Sequence, residues 1–179
     1  MSTFRAFDRN AEDHVSALDV DGGQDTRRGV NYRISELLEH AINTALALGR
    51  PLLVSGEPGC GKTELGFSIA RKLNIGRVRF FSVKSDCEAQ RLFYDYDYLR
   101  RFHAAQSASG LHDASQTDIR DFIRYRGLGQ AILDAYSADQ VRHLVAPDYV
   151  FPQAPVRSVV VIDEIDKAPR DFPNDLLNE

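Results

Sequence analysis

The residues best equipped for chemistry are Gly56-Glu-Pro-Gly-Cys-Gly-Lys-Thr63, with the spacing G-x-x-x-x-G-K-T. This order suits a polyphosphate and Mg²⁺. Several negative charges in a small volume call for consecutive backbone N–H groups aimed at one point. Gly56, Gly59 and Gly61 permit that path, since glycine tolerates positive φ and has no Cβ. Lys62 would bridge the β- and γ-phosphates, and Thr63 would offer its hydroxyl to Mg²⁺. The lining is expected to run through Gly56, Glu57, Pro58, Gly59, Cys60, Gly61, Lys62, Thr63 and Glu64.

A second group lies far downstream. Asp163 and Glu164 follow the apolar run Val159-Val-Val-Ile162. Adjacent carboxylates at the end of a buried strand are costly unless they meet a cation or water. Alone they read equally well as a solvated strand end. With a phosphate loop upstream, Asp163 is expected to orient the Mg²⁺ shell and Glu164 to polarise an attacking water.

The flanks supply what these groups need. Pro51-Leu-Leu-Val-Ser55 reads as a short buried strand, and Leu65, Ile69 and Leu73 recur at helical spacing. A helix starting near Lys62 adds the partial positive charge of its N-terminus to anion binding. Cys60, inside the loop, reads either as a small residue at a variable position or as a thiol activated by Lys62 and the helix end.

The remaining chain is read around that frame. Residues 1–29 are polar, acidic and without period, the pattern of a flexible arm. Ile34, Leu37, Leu38, Ala41, Ile42, Ala45 and Leu48 predict an amphipathic helix ended by Gly49 and Pro51. Arg77–Val83 reads as a strand. Ser85 with Glu88 predicts a capped helix to about Phe102, with Leu92, Tyr96 and Leu99 inward. A polar loop over 104–118 follows, then a helix or strand over 119–125 and a turn at Gly127–Gly129. A mostly helical stretch to Val145 comes next, with Ser137 and Gln140 as a restart. A proline-bearing connector, a strand over 157–162 and the start of a helix over 166–179 complete the reading.

Composition bounds the function. The 179 residues are about one domain by length, and 43% are hydrophobic, enough for a core. The net charge of −4 argues against nucleic acid as a bulk electrostatic partner. Arg100-Arg101, and Arg120, Arg124 and Arg126, read as solvated faces. Neither a secretory signal nor a membrane span is evident. Two cysteines give no disulfide framework, and with five scattered His they give no metal-ligand spacing, so a cytoplasmic setting is expected.

Leu52-Leu-Val-Ser-Gly-Glu-Pro-Gly-Cys-Gly-Lys-Thr63 with Val161-Ile-Asp-Glu-Ile-Asp-Lys-Ala168 resembles the AAA+ ATPases. Ala47–Pro51, Tyr94–Phe102 and Arg126–Ala131 resemble the MoxR-like branch. The likeness covers residues 28–179. It implies a P-loop NTPase α/β/α sandwich on a parallel sheet of order 5-1-4-3-2. It further implies a ring-forming ATPase, usually a hexamer, that uses ATP and Mg²⁺ to remodel client proteins. By motif, Gly56, Gly59, Gly61, Lys62 and Thr63 carry over as phosphate and Mg²⁺ ligands, Asp163 as the Mg²⁺-shell acid and Glu164 as the catalytic base. Val30–Tyr32 lies where the family places the adenine, although Tyr32 also reads as ordinary core.

In the family the polar sensor after strand 4, the arginine finger and the helical lid all follow the acidic motif. Residues 30–179 are therefore expected to form an incomplete AAA+ module, truncated after strand 3, behind the arm 1–29. Without strand 4, the strands at 51–55 and 157–163 would lack their shared neighbour, so marginal stability and weak turnover are expected. Two other functions compete: a non-catalytic nucleotide-binding switch, and a P-loop kinase. The adjacent acids count against the kinase, and a GTPase would need a base-reading Asn-Lys-x-Asp that is absent.

Overall fold

In the computed structural model the described residues are 6–85, 87–108 and 118–172. They fall into two compact units, Met1–Phe80 with Ser158–Asp163, and Phe81–Arg157 with Glu164–Glu179.

The first unit contains a four-stranded mixed sheet and two helices. Helix α1 spans Glu36–Leu48. Ser35 starts it by accepting from the Leu38 N–H, and Gly49 ends it in the left-handed conformation. Helix α2 spans Lys62–Lys72. The strands are β1 (Leu18–Val20), β2 (Gly23–Asp25), β3 (Arg77–Ser82) and β6 (Val159–Asp163), in the order β2-β1-β3-β6. β1 pairs antiparallel with β2 and parallel with β3. The adjacency of β3 and β6 is that expected of the second and third strands of the 5-1-4-3-2 order.

The core divides by helix face. Phe7, Ile34, Ile42 and Leu65 pack with Leu52, Val54 and Ile69. Leu18, Phe67, Ala70 and Val78 pack with Val159 and Val161 on the sheet. Gly66 lets α2 lie against β6, since a Cβ there would stand 2.5 Å from Val161 Cγ2.

Residues 6–29 are not a loose arm. Phe7 is buried, and the Asn43 amide holds it at both ends: Oδ1 accepts from the Ala6 and Phe7 N–H groups, and Nδ2 donates to Phe7 O. Arg71 is 1% exposed and donates to three carbonyls of this segment, Val15 (2.6 Å), Arg28 (2.8 Å) and Asp25 (3.3 Å). A buried guanidinium is tolerable when its donors are matched this way.

Residues 51–55 differ from expectation in the other direction. They alternate in burial, Leu52 and Val54 partly buried and Leu53 77% exposed, yet no ladder among the described residues includes them. Extended shape follows from local pattern, whereas a ladder needs a neighbouring strand.

The second unit is built on a hairpin. Helix α3 (Gln90–Phe93) runs directly into β4 (Tyr94–Tyr96), which pairs antiparallel with β5 (Ile123–Tyr125). Helix α4 follows at Tyr98–Ala108, and a 3₁₀ turn at Ile119–Phe122 leads into β5. The single helix expected from Ser85 to Phe102 is therefore broken at Tyr94-Asp-Tyr96, where cross-strand pairing wins over helical propensity. Leu92 is fully buried, while Leu99 is exposed.

Gly127–Asp134 forms helix α5 in place of the expected turn, and Gly129 lies so close to Phe93 O that a side chain would collide with it. Ser137 and Gln140 form the capping box of α6 (Ala138–Val141), as their spacing predicts. Leu133, Val141 and Val145 close this core with Tyr125, Tyr149 and Phe151. Residues 109–117 of the expected loop, and 173–179 of the expected last helix, lie outside the described residues.

Candidate phosphate site

The loop from Gly56 to Gly61 joins the extended 51–55 to α2. Its turns depend on glycine. Gly59 has φ 79° and Gly61 has φ 86°, both in the left-handed region that a Cβ disfavours. Gly61 is also the N-cap of α2, without a capping side chain. The first-turn N–H groups of α2 are thus left for another acceptor. Residues Gly56 to Cys60 are exposed, and Gly61 to Glu64 are partly buried.

The Lys62 ammonium reaches back along the loop. Its Nζ donates to Gly56 O and Glu57 O, each at 2.9 Å, and lies 3.9 Å from Cys60 Sγ. Thr63 points the other way. Its hydroxyl donates to Asp163 Oδ2 at 2.8 Å, so the first turn of α2 and the end of β6 meet through the two side chains expected to hold Mg²⁺. A hydroxyl and a carboxylate are hard oxygen donors, the chemistry Mg²⁺ selects, usually with waters and substrate phosphates completing the shell. The residues present fit that cation.

Glu164 belongs to the second unit. Its φ is 59°, uncommon for a residue with a Cβ. Its carboxylate accepts from Lys167 Nζ at 2.6 Å and from Ser82 Oγ at 3.4 Å.

Around the expected Glu64 and Tyr32 the arrangement adds Arg28, Gly29 and Phe67, which motif reading passed over. Glu64, next to Thr63, accepts from the Gly29 N–H at 2.7 Å and from Arg28 Nε at 3.1 Å. The Arg28 guanidinium also stacks 3.6 Å above the Phe67 ring. The Tyr32 ring packs on Gly61, where an added Cβ would stand 2.9 Å from Cε2. Burial, then the neighbouring Cys60 and Glu64, push the Tyr32 phenol above its ordinary range. The signal in the sequence was Asp25-Thr-Arg-Arg-Gly29, an Asp before a glycine turn: Asp25 Oδ1 accepts from the Arg27 and Arg28 N–H groups, both at 2.8 Å. Those two bonds, above all Arg28's, hold the Asp25 carboxyl below the usual carboxylate range.

A family model described as AAA domain (dynein-related subfamily) matches residues 51–178, a span that takes in the loop, α2, β3 and both acids. Neither the curated proteins nor the solved structures gave a match. Among the described residues, no helix is long and apolar enough to cross a membrane.

Proposed function

The chain belongs to the AAA domain family, dynein-related subfamily, with the P-loop NTPase α/β fold, and from that premise we propose that it binds Mg²⁺–ATP at Gly56–Glu64 and hydrolyses it to drive a change in a client protein. Nucleotide binding and ATPase capacity are general to the family. The residue roles, the cation, the client and the MoxR-like branch are our reading.

The observation that carries it is the hydrogen bond from Thr63 Oγ1 to Asp163 Oδ2. It brings the hydroxyl expected on the cation to the acid expected in its shell. In this reading backbone N–H groups of the loop hold the phosphates and Lys62 exchanges the Gly56 and Glu57 carbonyls for phosphate oxygens, while Thr63 and Asp163 would hold Mg²⁺, which would supply positive charge to the phosphates. Glu164 orients and deprotonates the attacking water. A ring of copies, with further charge stabilisation from a neighbouring subunit, would raise turnover.

Calorimetry with Mg²⁺–ATP tests the binding step. The parent chain is expected to bind and Lys62→Ala to lose binding; equal binding by both sinks the assignment of the loop.

A second reading, a nucleotide-binding switch without hydrolysis, draws on the pairing of Glu164 with Lys167. Glu164→Gln separates the two. A remodeller keeps binding and loses turnover, and a switch keeps its activity unchanged.

A further inference from the structure

Glu64 places a carboxylate one residue beyond Thr63, in the first turn of α2. Toward the partial positive charge of the helix end it is well placed. Toward a bound polyphosphate it is a like charge and unfavourable. The structure answers with Arg28, whose Nε meets Oε1 at 3.1 Å, and with the Gly29 N–H on Oε2 at 2.7 Å. Arg28 cannot wander, because its guanidinium is stacked on Phe67 and lies 5.2 Å from the Phe80 ring centre.

The backbone around it is fixed as tightly. Arg71 holds Arg28 O, Asp25 caps the Arg27 and Arg28 N–H groups, and Gly29, at φ 74°, lies too close to Phe67 and Ser68 for a Cβ. Asn31, at φ 58°, turns the chain, and at the next residue the Tyr32 ring rests on Gly61. The segment from Asp25 to Tyr32 therefore touches α2 on both sides of Lys62 and Thr63.

We propose that residues 25–32 are a latch whose docking is coupled to nucleotide: Arg28 and the Gly29 N–H, by holding and neutralising Glu64, position the first turn of α2 for phosphate, and bound nucleotide in turn holds the latch shut. The inference rests on the nucleotide-binding reading above and assigns Arg28, Gly29 and Glu64 as positioning residues. Reciprocity is required, since a segment that raises affinity when docked must be stabilised by the ligand by the same factor. Arg28 and Glu64 are partly exposed, so the factor is modest, about three- to fivefold.

The latch carries its own reporter, because trypsin cuts after Arg27 and Arg28 when the segment opens, and cutting tracks the open population. In the parent chain, saturating Mg²⁺–ATP is expected to slow these cuts by about three- to fivefold relative to the exposed Arg100–Arg101 pair in the other unit. Glu64→Ala should bind ATP about three- to fivefold more weakly and lose the ATP-dependent protection. Glu64→Gln, which retains an acceptor for the Gly29 N–H, should fall between. If Glu64→Ala does not fold, Arg28→Ala reads the same coupling, and adding Glu64→Gln to it should restore affinity by removing the unneutralised charge.

ATP binding without selective protection overturns the coupling alone. So does unaltered affinity and protection in Glu64→Ala, or, where that variant does not fold, in Arg28→Ala. No ATP binding by the parent chain overturns the nucleotide reading and the latch together.

Discussion

Thr63 and Asp163, 100 residues apart in sequence, are joined by a 2.8 Å hydrogen bond from hydroxyl to carboxylate. If this pair marks the Mg²⁺ position, its loss should affect metal-dependent binding only. Asp163→Ala is expected to weaken Mg²⁺–ATP binding by about 10- to 100-fold. Binding of ATP in EDTA should barely change, and Thr63→Ser should resemble the parent. Titrations with and without Mg²⁺ check this. Equal losses in both would mean that the pair serves the fold alone.

Gly61 faces two constraints at once. Its φ is 86°, and the Tyr32 ring occupies the space a side chain would need. Gly61→Ala should cost about 2–4 kcal/mol, combining backbone strain with overpacking. Urea unfolding measures the total. A Tyr32→Leu change in the same background should recover the packing share and leave the strain.

Arg71 links the N-terminal segment to α2 through three carbonyls. Replacing it by Met keeps the bulk and orphans those acceptors, for an expected loss of at least about 3 kcal/mol. Lys, a single point donor, should recover less than half of that. A thermal melt of Arg71→Met that matches the parent would show that water satisfies the carbonyls.

Asp25 gives a pH signature. Its folded carboxyl titrates below the ordinary 3.8 because two backbone N–H groups bind the ionised form. A depressed folded value means the stabilisation is complete above the unfolded value and is lost as pH falls through the folded one. Stability should therefore drop below about pH 4. Asp25→Asn, which keeps an acceptor but cannot ionise, should flatten that acid limb. Melting temperatures at pH 3, 4 and 6 for both chains would reveal it, and parallel acid limbs would contradict it.

The glycine turns at Gly59 and Gly61 and the strand ending at Asp163 were legible because glycine spacing and an apolar run are local signals, and each leaves its mark within a few residues. The latch was not. Its order comes from Arg71, Asn43 and Glu64, polar side chains distant in sequence, and polar partners carry no period. Its strands, β1 and β2, are only three residues each, too short for alternation to show. Tyr94-Asp-Tyr96 was misread for a related reason: its residues fit a helical face as well as a strand, and only the partner Ile123–Tyr125 decides. At 51–55 the apolar run does take an extended form, but pairing is a property of two segments and cannot be read from one.

The strand order β2-β1-β3-β6 also sets a timetable for folding. β3 is flanked by one strand from early in the chain and another from late in it, with Asp19 opposite Arg77 on one side and Val159–Asp163 on the other. Helix α1 can flicker into shape as soon as it is synthesised, since its bonds are local. The sheet cannot, because closing loops of this length costs entropy before any ladder rewards it. During synthesis the amino-terminal strands must therefore wait, with Leu18 and Phe7 still uncovered, until α2 and β3 have emerged. That delay leaves the newborn chain, rather than the finished one, with the greater share of its apolar surface open to water.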